Sequence, residues 1–279
     1  MRPTAPQVLE RPLLTTVLGK TIRDQRRALG WWGLGLAATA TMYAAFYPSV
    51  VKNANALTAY LKTFPEGLQR AFFGSGADFF TPGGYLQTQL FGFFAPLLLL
   101  VFTIGAGARA IAGEEERRTL DLLLSTPISR RRVVVDKAIA LAAGAGLLSL
   151  ILWVALVLFG PPFDLTPGIA KVGAAIVMQL LLALAFGMIA LAAGCRSGRR
   201  ARAIALAGGL AGAMWMLDVL APTVDAIAWL QRLSFFYYYD ENVPVKHGLD
   251  PVDVLVLAGI ASIALATAIR TFERRDLSS

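Results

Sequence analysis

Hydrophobic residues in this chain fall in six long blocks, not in the short alternating runs typical of soluble proteins. A helix needs about 20 consecutive apolar residues to cross a bilayer. In lipid, each such helix satisfies its own backbone hydrogen bonds. The pattern therefore predicts an all-α integral membrane protein that forms one transmembrane domain over residues 1–279. The predicted spans are approximately residues 30–47, 86–108, 133–159, 169–194, 203–220 and 252–269.

The leader before the first block has a different pattern. Its apolar residues fall near one helical face, and most of its Lys and Arg residues lie elsewhere; the apolar set is Leu14, Val17, Leu18, Ile22 and Leu29. This favours a basic amphipathic helix over residues 8–29, lying on the inner leaflet. The alternative is a basic tail that only fixes the topology of the first span.

A second unusual segment, residues 221–251, precedes the sixth block. It is less polar than an ordinary loop and holds a run of aromatic residues from Phe235 to Tyr239. We interpret it as a re-entrant or interfacial hairpin on the outer side. The plainer interpretation is an aromatic belt at headgroup level with no role in substrate binding.

Composition supports a membrane protein, and the placement of charge predicts its orientation. The chain is 56% hydrophobic and only 16% charged, with a net charge of +8. That charge is not spread as a nucleic-acid surface requires. Of the 26 Lys and Arg residues, 20 fall in the leader, the tail and the loops after the second and fourth spans. Such residues concentrate in cytoplasmic loops. We therefore expect a multi-pass protein of a bacterial or archaeal plasma membrane, with both termini cytoplasmic and no nucleic acid bound.

Enzyme signals fail on inspection. Cys195 and His247 are the sole cysteine and histidine, which excludes an internal disulfide and a histidine-rich metal site, and no Ser/His/Asp set is available. Gly19-Lys20-Thr21 ends like a phosphate-binding loop, but that motif needs glycine where Leu14 stands. We expect no catalytic site, cofactor or metal in this chain.

The most distinctive segment, residues 113–137, lies between the second and third spans. Glu114 to Glu116 stand at the start of a predicted short helix, where negative charge complements the helix dipole. Glu114 can pair with Arg118 one turn later. Three leucines then form a compact apolar patch: Leu120, Leu123 and Leu124.

The second half of the segment predicts a helix boundary. Pro127 ends the short helix and Ser129 is placed to cap the next one. Arg130 to Arg132 follow at a helix N-terminus, where cations are unfavourable unless lipid phosphates or an acidic partner stabilise them. The segment is therefore either an amphipathic cytoplasmic helix with a partner or a charged turn facing solvent.

These residues resemble the cytoplasmic signature of ABC-2 type permeases. The matching residues are Gly113-Glu114, Thr119-Leu120-Asp121, Leu122 to Leu124, Ser125-Thr126-Pro127, Ser129-Arg130 and Lys137. Arg118 stands where the family usually has glycine and Asp121 where it has glutamate. Weaker likeness at residues 64–68, 81–85, 233–239 and 272–276 extends the resemblance over most of the chain.

The resemblance implies an ATP-driven exporter. The permease is expected to dimerise, as a homodimer or with a close homologue. Each copy is expected to dock on a separate ABC ATPase subunit, which binds the ATP and Mg. The implied coupling residues form an apolar centre and a polar rim: Glu114, Glu115, Arg118, Leu120, Leu123 and Leu124.

Small residues in the spans suggest how two copies meet. Gly208 and Gly212 lie four apart in the fifth span and Gly33 lies in the first, spacings that permit close helix approach. We expect these three glycines at the dimer interface; the alternative is packing within one subunit. The apolar spans favour an amphipathic or lipid-like substrate, a class that includes many drugs and antibiotics. The competing function is a secondary transporter or channel that works without an ATPase, which charged residues inside the spans would favour.

Overall fold

The computed structural model of the protein describes residues 14–61, 63, 79–117 and 129–275. These residues form helices and connecting turns, and no strand occurs among them. The helices, numbered in chain order, are α1 (Leu14–Lys52), α2 (Ala54–Leu61), α3 (Pro82–Ala110, which includes a π-helix at Leu86–Phe94), α4 (Ala112–Glu116), α5 (Arg130–Phe159), α6 (Ile169–Ser197), α7 (Arg200–Leu220), α8 (Phe235–Asp240), α9 (Pro244–His247) and α10 (Pro251–Arg274). Short 3-10 helices occur at Pro161–Phe163, Ala221–Thr223 and Asp225–Leu233.

Six of these helices are long and apolar enough to cross a membrane: α1, α3, α5, α6, α7 and α10. The prediction of an all-α protein with six transmembrane helices is confirmed. Several of the helices extend past the apolar blocks because capping, and not hydrophobicity, decides where a helix ends. At the start of α5, the side-chain oxygen of Ser129 accepts a hydrogen bond from the N–H of Arg132, so the arginines belong to the helix.

The leader does not form a helix separate from the first span. From Leu14 the chain is helical without a break to Lys52. Gly30, at the predicted boundary, costs a helix only about 1 kcal/mol, and no proline accompanies it. The boundary predicted at residue 29 is therefore wrong, while the placement of the leader on the inner leaflet stays a prediction.

Helix α6 lies at the centre of the bundle. In its most apolar stretch 72% of the residues are buried inside the protein, against 17% in α7 and 22% in α10. Helices α3 and α6 approach closely at two glycines: a Cβ on Gly107 would lie 2.2 Å from the carbonyl oxygen of Gly187. In lipid, where apolar burial gives little driving force between helices, such close backbone contact is a main source of stability.

The aromatic segment before the last span is divided in two. The 3-10 helix Asp225–Leu233 is largely exposed, and 64% of Trp229 is accessible. Helix α8 instead lies inside the bundle, where the ring of Phe236 stands 5.9 Å from that of Phe186 in α6. Tyr239 is buried, and its hydroxyl donates to the carbonyl oxygen of Phe91 in α3 at 2.7 Å. Phe236 and Tyr239 are therefore bundle residues, while the interfacial hairpin and the aromatic belt both stay predictions.

Candidate coupling site

The arginine-rich connections between helices lie together at one end of the bundle. Helix α3 ends at Ala110, and the carbonyl oxygen of Ile111 accepts hydrogen bonds from the N–H groups of Glu114 and Glu115, each at 3.0 Å. This starts α4, a helix of five residues that ends in a turn at Arg117. Successive residues of a helix point about 100° apart. Glu114, Glu115 and Glu116 accordingly reach three different parts of the bundle.

Glu114 turns toward α5. Its carboxylate forms an ion pair with the ammonium group of Lys137, whose side chain is only 7% exposed. A buried ammonium group is costly unless a carboxylate compensates it. Glu114 supplies that carboxylate, so this pair fastens α4 to the third span.

Glu115 turns toward the end of α10. Both of its oxygens accept from the guanidinium of Arg275, at 2.9 Å and 2.6 Å. The two side chains are 25% and 28% exposed, and such two-point pairs are among the stronger hydrogen-bonded contacts in proteins. Arg275 also donates to the carbonyl oxygen of Cys195 in α6 at 3.2 Å. Its own carbonyl accepts from the guanidinium of Arg130, at the start of α5.

Glu116 turns toward the start of α7. Its carboxylate accepts from the backbone N–H of Arg200 at 2.8 Å. The first N–H groups of a helix have no partner within the helix and carry partial positive charge. The carboxylate satisfies one of these groups and favours the local dipole.

Gly198 leaves the space in which these contacts form. It ends α6 in the left-handed conformation, with φ of +61°, which glycine adopts at little cost. A Cβ at this position would lie 2.5 Å from a carboxylate oxygen of Glu115 and 2.6 Å from a guanidinium nitrogen of Arg275. Glycine is therefore required here for both conformational and steric reasons.

The predicted coupling residues divide into two groups. Arg118, Leu120, Leu123 and Leu124 lie outside the described residues, so their predicted roles stay predictions. Glu114 and Glu115 are held by Lys137 and Arg275 of the same chain, contacts that we did not predict. Lys137 offered a signal, because a lysine at the edge of a long apolar run needs a carboxylate nearby. Nothing in the sequence singled out Arg275 among the tail arginines or Gly198 among the glycines.

The predicted interface glycines also separate. Gly33 is buried, and a Cβ there would lie 2.8 Å from the Ile151 side chain of α5 in the same chain. It packs against α5 within the subunit, and its place at a dimer interface stays a prediction. Gly208 and Gly212 have no atom of another element within 4 Å of an added Cβ. They lie on an open face of α7, beside the buried stripe of Ala203, Ala207 and Ala211.

The opposite end of the bundle holds a second polar group. The Gln87 amide of α3 donates to the carboxylate of Asp240, and the Gln231 amide donates to that of Asp218 at 3.3 Å. Burial raises the pKa of Asp240 to about 7, and the nearby charge of Asp218 adds to this. These contacts join the second and fifth spans to the segment that precedes α10.

Six helices able to cross a membrane, and connections that join their ends, define a multi-pass membrane protein. The sequence matches the family model described as ABC-2 family transporter protein over residues 15–277, and the chain belongs to that family. It is thus a permease, the membrane subunit type of ABC transporters, which normally works with ATPase subunits. A search of curated proteins finds no significant match.

Proposed function

We propose that this protein is the permease of an ATP-driven exporter and that segment 118–128 is the part that contacts the ATPase. The supporting observation is the set of contacts that hold α4, the helix that precedes this segment. Its three glutamates contact Lys137 of α5, Arg275 after α10 and the first N–H of α7. A force applied to segment 118–128 would therefore reach several spans at once. In this proposal the ATPase subunit binds the ATP and Mg, and the arginine-rich end faces the cytoplasm.

We also propose that two copies assemble through α7 and α1. The open glycine face of α7 offers a shallow groove at Gly208 and Gly212. Helix α1 presents large exposed side chains that can fill such a groove, with Trp31 75% and Leu34 60% exposed. A two-fold axis would place α7 of each copy against α1 of the other, because closed dimers use the same surfaces reciprocally. Glycine grooves gain dispersion contacts in lipid when a bulky partner fills them.

The proposed substrate is an amphipathic or lipid-like molecule moved outward. The described spans expose large apolar side chains over most of the bundle, including Leu158 at 62% and Ile263 at 68%. The charged residues lie mainly near the helix ends. A path between two such bundles suits an apolar body better than an ion or a sugar.

The function is tested by purifying the protein with candidate ABC ATPases and measuring ATP hydrolysis and substrate export in vesicles. We expect a stable complex whose hydrolysis depends on this chain. The decisive variant is Leu123→Asp, because a carboxylate forced into an apolar contact costs several kcal/mol. It should lower the stimulated ATPase activity at least about tenfold.

Leu122→Asp is the matched control. In a helix, position 122 lies on the side opposite to positions 120, 123 and 124, so this variant should keep most of the activity. Equal loss in both variants would assign the effect to folding or insertion. Full activity of inserted Leu123→Asp would refute the proposed coupling segment, and substrate movement without ATP would favour a transporter that works alone.

A further inference from the structure

The tail residue Arg275 connects more elements than its position in sequence suggests. It follows the last residue of α10, in an extended conformation with φ of −79° and ψ of 120°. Its guanidinium contacts Glu115 of α4 and the carbonyl oxygen of Cys195 in α6. Its carbonyl oxygen accepts from Arg130 of α5. One residue thus joins the ends of three spans to the short helix before segment 118–128.

Helix α4 needs such contacts in order to hold a fixed position. It has five residues, and isolated helices shorter than about 12 residues are marginal in water. Among its described glutamates, Glu115 makes the two-point contact, which fixes direction as well as distance. A rotation of α4 therefore changes the position of Arg275 or breaks the pair.

The covalent chain links segment 118–128 to α4 on one side and to α5 on the other. Helix α10 lies more than a hundred residues further along, and its link to α4 among the described contacts runs through Glu115 and Arg275, which are 160 residues apart. Gly198 at the end of α6 leaves room for this pair, because a Cβ there would lie 2.5 Å from Glu115 and 2.6 Å from Arg275. Three separate parts of the chain thus converge on one contact.

We propose that the Glu115–Arg275 pair is the positioning contact through which movement of the ATPase-binding segment reaches α10 and the end of α6. This inference rests on the proposed function. In it, α10 follows α4 during the transport cycle, although no covalent connection makes it do so. Arg275 and Glu115 are positioning residues that touch neither ATP nor substrate.

The test uses the full chain with its ATPase in vesicles and compares Arg275→Gln with Arg274→Gln. Arg274 is an exposed neighbouring arginine, which makes it the matched control. We expect Arg275→Gln to lower ATPase stimulation about tenfold, in keeping with the loss of hydrogen bonds between charged groups. Arg274→Gln should stay within about twofold of the wild type. Arg275→Lys, which keeps the charge but loses the two-point geometry, should give an intermediate value.

A second pair of variants keeps the test decisive if Arg275→Gln does not fold. Gly198→Ala crowds the pair without removing a charge. Gly168→Ala introduces at least as much backbone strain, at a glycine with φ of +98° that has only the Lys171 side chain nearby. Gly198→Ala should uncouple the complex about tenfold, while Gly168→Ala should not.

A readout of assembly separates positioning from folding. Binding of the ATPase to the permease, measured by co-purification, should be unchanged in Arg275→Gln while stimulation falls. Loss of binding in proportion to stimulation would overturn the inference, because the pair would then only stabilise the fold. Full stimulation in both Arg275→Gln and Gly198→Ala would also overturn it. A wild-type chain that stimulates no ATPase would remove the proposed function itself, and the inference with it.

Discussion

At the helix ends of this protein, the properties of single residues are determined by the groups they contact. Asp240 ends α8 with its carboxylate against the Gln87 amide, near Asp218 and Glu241. Burial first, then the charge of Asp218, raises the pKa of Asp240 from 3.8 to about 7. The folded protein therefore binds this proton more tightly than the unfolded chain does. Its contribution favours folding below about pH 4 and is lost as the pH rises toward 7.

Asp240→Asn should remove this dependence on pH, since the amide stays neutral. We expect the variant and the wild type to differ least at pH 4, to diverge as the pH rises to 7 and to keep a constant difference above it, with the variant higher by roughly 2–4 °C at pH 8. Thermal unfolding in detergent, followed between pH 4 and pH 8, measures the difference. Asp225→Asn, at an exposed carboxylate, is the control and should show no such trend. A gap that shrinks with rising pH would contradict the assigned protonation.

Residue contacts were predictable only where local pattern determines them. The Ser129 cap was predictable because a serine before a helical run has few other roles. The partner of Lys137 was foreseeable in kind, as a carboxylate, but not as Glu114. The requirement for glycine at position 198 depends on where the tail after α10 folds back. Tertiary packing sets that position, and a single sequence does not display it.

At the scale of elements, α3 shows how one helix creates a docking point for another. Its residues Leu86–Phe94 form a π-helix, in which the N–H of Ala95 bonds to the carbonyl oxygen of Leu90. The next residue, Pro96, has no N–H to offer to the carbonyl of Phe91. The hydroxyl of Tyr239 fills that role from α8. Pro96 is visible in the sequence, but the change of helical register is not, and so the packing of α8 was not predicted.

The element with the most open surface is α7, and Gly212→Leu tests whether a second copy covers it. A leucine would fill the groove that the proposed partner helix occupies, so the dimer fraction in detergent should fall severalfold. Crosslinking or light scattering measures the fraction. Gly146→Leu adds the same side chain to another glycine with no atom within 4 Å of an added Cβ, and it should leave dimerisation unchanged. An unaltered dimer fraction in Gly212→Leu would mean that this face contacts lipid and not a second copy.

Element type follows from the sequence more readily than element boundary. Blocks of about 20 apolar residues leave few alternatives to spanning helices, so their number was predictable. The unbroken α1 was not, because a charged leader and an apolar span can share one helix when no strong helix breaker separates them. Hydrophobicity changes at that junction, but backbone conformation does not.

For the whole molecule, two independent observations agree on which connections share a side. The contacts of Glu114, Glu115 and Glu116 bring together the connections after α3 and α6 and the tail after α10. The same connections carry most of the Lys and Arg residues. Contacts establish which ends lie together, and charge predicts which side that is, because positive residues are retained in the cytoplasm.

Single cysteines can therefore determine the orientation in intact cells. We expect Asn55→Cys and Leu249→Cys, both exposed at the opposite end of the bundle, to react with a membrane-impermeant maleimide added outside. Arg199→Cys and Glu273→Cys, exposed at the arginine-rich end, should react only after the membrane is permeabilised. The native Cys195 is buried, so the wild-type chain provides the unlabelled control. Labelling of Arg199→Cys from outside would show that the orientation is the reverse of the predicted one. Segment 118–128 would then face away from any cytoplasmic ATPase. Protection of Arg199→Cys, together with labelling of Leu249→Cys, would place α4, Arg275 and segment 118–128 on the side where ATP is available.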